Sequence, residues 1–151
     1  MRPNLYHASP ARAIPSAKLG RWKTGPGASV VPSLPLHELS IALGIVDLAC
    51  EHINRFERAR LAAVHLRLGL LSGVVREALV FSFDAASAGT SAEGARLQIE
   101  DVPVTVWCPA CLEERPLRHI SRRECPQCGA IAAEVIRGAD MEVVALEIIE
   151  T

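Results

Sequence analysis

Four cysteines offer this chain its most definite chemistry. Cys108-x2-Cys111 and Cys125-x2-Cys128 lie in "WCPACLEERPLRHISRRECPQCG", with thirteen residues between the pairs. A Cys-x-x-Cys turn directs two thiolates to one point, and two such turns facing each other make a tetrahedral sulfur cage. Zinc suits that cage better than iron: it accepts soft thiolates, takes four ligands and carries no redox chemistry. Pro109, Pro126 and Gly129 are residues that such turns use. Four sulfurs leave no position open for a substrate, so this zinc would hold structure rather than catalyse. Two disulfides would suit a secreted protein, but no apolar signal block is present and Cys50 would be left over. A thioredoxin-like dithiol needs one pair, not two. Cys50 falls on the apolar stripe of a helix and reads as a core residue.

The second candidate is His37 with Glu38, in "SLPLHELSIAL". A histidine second from a free amino terminus can bind a metal through the α-amine, its own peptide nitrogen, its imidazole and the next peptide nitrogen. Four nitrogens in a plane favour Ni(II) or Cu(II), and the need for deprotonated donors makes affinity fall with pH. The pattern opens here as abruptly as a chain start would, yet 35 residues stand ahead of Leu36. The other histidines are plainer. His52 sits on the first helix, His65 alternates with core residues on a strand, and His119 lies between the cysteine pairs as a spare ligand at most.

These residues need elements to position them. Leu39, Ala42/Leu43, Val46, Ala49/Cys50, Ile53 and Phe56 trace a helical stripe, with Glu38 off it. "LAAVHLRLGL" alternates, placing Val64, Leu66, Leu68 and Leu70 on one face of a half-buried strand. "GVVREALVFSFDAASAG" predicts a second helix along Val75, Leu79, Ser82/Phe83 and Ala86, stopped near Gly89. "ARLQIEDVPV" predicts a strand confined to an edge by Pro103. "MEVVALEIIE" alternates with Val144, Leu146 and Ile148 opposite Val143, Ala145 and Glu147. The order predicts an α/β domain: two helices on one face of a small three-stranded sheet, with an inserted four-cysteine zinc-ribbon module. The α/β domain takes 36–106 plus 130–151 and the module 107–129.

Composition narrows the function. The net charge is −1, but residues 1–35 hold five basic residues and no acid, so the remainder carries 11 Arg against 17 acids and a net −6. An acidic body lacks the basic surface that phosphate neutralisation requires. No apolar run approaches the ~18 residues of a membrane span. The first 35 residues hold six of the ten prolines and no apolar period, which predicts a disordered extension. The alternative function is a zinc-ribbon nucleic-acid-binding or transcription-associated module, drawn from Arg115, Arg118, Arg122 and Arg123. Glu113, Glu114 and Glu124 are interleaved with them, and Trp107 alone offers little base stacking. No catalytic triad, phosphate loop or acid–base pair suggests an enzyme.

The chain from 36 to 151 resembles the HypA/HybF nickel metallochaperones of [NiFe]-hydrogenase maturation. "LHELSIALGIVDLA" is similar to that family's Met-His-Glu opening and first helix, "VHLRLGLLSGVVREALVFSFDAASAGT" to its strand–helix unit, and "CPAC…CPQC" to its zinc module. The resemblance implies that His37 binds nickel and that Glu38 contributes its backbone nitrogen or tunes the site. It implies that Cys108, Cys111, Cys125 and Cys128 are zinc ligands. It further implies a cytoplasmic carrier that binds and hands over Ni(II) without turnover. The implied partners are a maturation GTPase, the hydrogenase large subunit and, in some organisms, urease maturation proteins. The departure is Leu36, where the family has the initiating Met: one hypothesis reads Leu36 as an alternative start with 1–35 a misassigned extension, and the competing one keeps the extension as real, with nickel bound by His37 plus other donors or bound poorly.

Overall fold

In the computed structural model, residues 37–132 and 134–150 are described in full, with the backbone of 12–15, 21–22 and 36. The element order is β1 (Arg12–Pro15), β2 (Arg21–Trp22), α1 (Leu36–Ile53), β3 (Ala59–Gly69), α2 (Arg76–Ser87) and β4 (Arg96–Val102), followed by β5 (Thr105–Cys108), β6 (Glu113–Pro116), β7 (Glu134–Arg137) and β8 (Met141–Glu150).

Strands β3 and β4 run parallel, a pairing that needs a crossover, and α2 is that crossover. Strand β8 returns antiparallel on the other side of β3. The helices and this sheet share one core: Ala42, Ile45, Val46, Ala49 and Ile53 of α1 and Leu79 and Phe83 of α2 pack with Val64, Leu66, Leu68, Val143, Leu146 and Ile148. Strand β4 is an edge, as Pro103 requires.

Three expectations change. Of the stripe expected on α1, Ala42, Val46, Ala49 and Ile53 are buried, but Leu39, Leu43 and Phe56 are exposed, and the buried face also takes in Glu38 and Ile45. The carboxylate at its head hides that face from a hydrophobicity reading. In β8, His65 faces Ala145 while the next residue, Leu66, faces Val143, so Val144 is an extra residue in the ladder. That bulge shifts the alternation by one, burying Met141 and Val143 on one side of it and Leu146 and Ile148 on the other.

The sheet has five strands rather than three, because β1 and β2 both pair with β8. The expectation of disorder over 1–35 therefore gives way at 12–15 and 21–22; the rest of it lies outside the described residues. An open strand edge presents backbone donors and acceptors that an extended segment can satisfy without any apolar period of its own.

Strands β5, β6 and β7 form a second sheet, in the order β6-β5-β7, around Val104, Val106 and Ala132. Its strands run between Thr105 and Arg137, on both sides of the cysteine turns that they hold as tips. Two connections join it to the body: Pro103–Val104 and Gly138–Asp140. The chain after β3 is stitched to both: Gly69 N–H donates to Asp140 O at 2.8 Å, Leu71 N–H to Gly138 O at 2.8 Å and Leu70 N–H to Val102 O at 3.2 Å. A Cβ on Gly69 would lie 2.5 Å from the Gly138 carbonyl carbon and 2.7 Å from Asp140 O, so only glycine permits this approach.

Candidate metal centres

The two cysteine turns share one backbone design. Strand β5 ends on the buried Cys108, and the chain folds back so that Cys111 N–H points at Cys108 Sγ at 3.4 Å and Leu112 N–H donates to Cys108 O at 2.9 Å. In the second turn Gly129 N–H donates to Cys125 O at 2.9 Å. The residue after the second cysteine is left-handed in both: Gly129 at φ 74° and Leu112 at φ 58°. Cys125 N–H donates to Ala130 O at 2.8 Å, and Glu124 bridges to Ile131, which closes the second tip.

All four Sγ atoms lie within 4.8 Å of one another. Cys108 Sγ and Cys128 Sγ are 3.5 Å apart, and Cys111 Sγ and Cys125 Sγ 3.9 Å. A tetrahedral ion bonded to sulfur at ~2.3 Å sets its ligands ~3.8 Å apart, so the sulfur set fits one metal ion. The thiols are not equivalent. Backbone N–H groups of Cys128 and Gln127 draw the Cys125 thiol down to about 6. Cys111 is pushed up to about 12, foremost by its hydrogen bond with the Cys128 sulfur and then that with Cys108. Crowded sulfurs share protons when no cation is among them, and a bound divalent ion reverses that preference. His119 is exposed and is not among the four clustered ligands.

His37 stands exposed in the first turn of α1. Among the described residues, the four cysteines are the one group of three or more His, Cys, Asp or Glu side chains that could hold an ion, so no side-chain cluster gathers around His37. The opening N–H groups of a helix have no intrahelical acceptor, which leaves the peptide nitrogens of His37 and Glu38 outside the helical ladder. The Glu38 side chain turns the other way. It is 1% exposed, and its Oε1 accepts a hydrogen bond from Val75 N–H at 3.2 Å. Its placement four residues before Ala42 and seven before Ile45 was the sequence signal for that burial, masked by its charge.

The other singled-out residues have structural partners. His52 Nδ1 lies 2.8 Å from Leu48 O within α1, and His65 Nε2 lies 3.3 Å from Glu147 Oε2. Cys50 is half-buried against the core. Of the basic cluster between the cysteine pairs, Arg115 pairs with Glu113 at 2.5 Å, while Glu114 pairs at 3.4 Å with Arg137 of β7, outside the cluster.

Residues 36–148 match the family described as hydrogenase/urease nickel incorporation, metallochaperone, hypA. The hydrogenase maturation factor HypA of Roseiflexus sp. (strain RS-1) is 51% identical over 112 residues, covering 74% of this chain and 91% of that one. The HypA of Chloroflexus aurantiacus (strain ATCC 29366 / DSM 635 / J-10-fl) is 46% identical over 112 residues, covering 74% and 98%. The fold is similar to the solution structure of the Ni metallochaperone HypA from Helicobacter pylori, with a TM-score of 0.54 and 20% identity over 76% of this chain and 98% of that one.

Proposed function

This chain belongs to the HypA family of nickel metallochaperones for hydrogenase maturation, and from that premise we propose that it takes up Ni(II) at His37 while the four cysteines hold structural zinc. The observation that carries the reading is an exposed imidazole in the first turn of α1, beside peptide nitrogens that the helix does not use and, among the described residues, with no cluster of side-chain ligands around it. His37 supplies its imidazole and its peptide nitrogen, and Glu38 supplies its peptide nitrogen. A free amine at position 36 completes the plane in a chain that starts there. Every donor must shed or lack a proton to bind, so acidification releases the ion. Zinc suits the cysteine cage because a closed four-sulfur shell needs an ion content with that geometry and no redox role.

The ion is cargo. The protein binds it and passes it on without turnover, to a maturation GTPase and to the large subunit of a [NiFe]-hydrogenase, with urease maturation proteins as a further recipient. Reduced cysteines in the cage fit a reducing compartment such as the cytoplasm.

Metal titration tests the reading on two forms, the full chain and one beginning at residue 36 as Met. The shorter form is expected to bind one Ni(II) with a square-planar nitrogen spectrum in addition to tightly held zinc. His37→Ala should abolish nickel binding and leave zinc and the circular dichroism unchanged, and Cys108→Ala should lower zinc content. Planar nickel binding retained by His37→Ala would remove His37 from the site. The intact mass of protein from its own cell decides which form carries the amine.

A further inference from the structure

Glu38 combines two features that do not ordinarily meet. It follows the exposed His37 directly, yet it is 1% exposed, and of its two carboxyl oxygens Oε1 meets Val75 N–H while Oε2 is buried without a partner among the described residues. Val75 is the N-cap of α2, in extended conformation at φ −85° and ψ 116°, and makes no side-chain cap bond of its own. Glu38 therefore caps α2 from the first turn of α1. A glutamate at position 78, where the chain has Ala78, would satisfy the same amide locally, as in a capping box. A cap from across the fold does something that a local cap cannot: it ties two helix starts together.

The first turn of a helix frays because its N–H groups lack partners. A planar nitrogen site made of peptide nitrogens 37 and 38 and the imidazole between them needs that turn held still. We propose that the Glu38 side chain is a positioning residue for nickel, pinning the first turn of α1 to the start of α2 so that its nitrogens are preorganised. The proposal rests on nickel binding at His37. It separates two roles within one residue: the peptide nitrogen faces the metal, and the carboxyl group faces α2. The chain that α2 begins from is also bonded to the body–module joint, since Val74 N–H points at Ser72 Oγ at 3.4 Å and Ser72 N–H donates to Gly69 O at 2.9 Å. The anchor that Glu38 grips is therefore itself fixed.

The test compares the parent with Glu38→Ala and Glu38→Gln, reading amide exchange at Val75 and nickel affinity. Exchange is measured on the full chain, and affinity on whichever form, full or beginning at residue 36, binds the ion. Glu38→Ala is expected to speed Val75 exchange roughly tenfold, the scale of one lost capping bond. It should weaken nickel by a similar factor while the absorption bands of the bound ion stay in place, because the donors are unchanged. Glu38→Gln keeps the acceptor and should restore both. Undiminished nickel affinity in Glu38→Ala, or a glutamine variant as weak as the alanine, would overturn the positioning role. Faster Val75 exchange in a protein whose parent binds no nickel would leave a purely structural cap and refute the His37 reading as well.

Discussion

Leu112 and Gly129 occupy equivalent places in the two cysteine turns, and one of them pays a conformational penalty. Both are left-handed, at φ 58° and 74°, but a side chain there costs about 1–2 kcal/mol, which glycine avoids. Leu112 is 70% exposed, so its side chain recovers little by packing. Leu112→Gly is expected to stabilise the metal-loaded module by up to about 1 kcal/mol, and Gly129→Ala, which meets open space, to destabilise it by about 1 kcal/mol through the backbone alone. Competition with a zinc chelator reads both, and equal shifts of the same sign would contradict the shared design. The thiols yield a second prediction. Above about pH 6 Cys125 is already a thiolate, so one sulfur meets the metal without releasing a proton; below it that proton must leave too. Calorimetry in buffers of different ionisation heat should find about one more proton released per zinc as pH falls through 6, with affinity falling more steeply there. The cysteine spacing was legible in the sequence because ligand chemistry fixes both types and intervals. The burial of Glu38 was not, because a charged residue reads as surface until its partner, 37 residues away, is known.

The elements themselves follow periodicity, and the sequence marks them well: α2, β4 and β8 lie within the expected stretches, and α1 and β3 overlap theirs but start a few residues earlier, at Leu36 and Ala59. What it misses are the places where a period is interrupted. The bulge at Val144 splits β8 into two inward-facing halves, and no composition signal announces an extra residue in a ladder. The extent of the β5–β7 sheet is also hidden, because strands of four residues are too short to display an alternation. The joint between the sheets depends on a close approach. Gly69→Ala would drive a methyl group into the Gly138 and Asp140 carbonyls, backbone atoms that cannot rotate aside. It is expected to destabilise the fold by about 2–4 kcal/mol, measured by denaturant titration. A loss below 0.5 kcal/mol or so, the usual range of a surface change, would mean that the joint yields freely.

Across the whole molecule, charge and metal sites divide the labour. The body from residue 36 onward is acidic, its basic residues are partly paired, and no helix among the described residues is long and apolar enough to cross a membrane. The α/β layer presents His37 at one helix start, and the module holds its sulfurs in a sheet of its own. Strand β8 sits inside the larger sheet, between β1 and β3, although it follows the module in the chain. The inner strand of the body's sheet is thus entered directly from the module through Gly138–Asp140, so loosening of a metal-free module is expected to reach the body's core along the chain rather than across an interface.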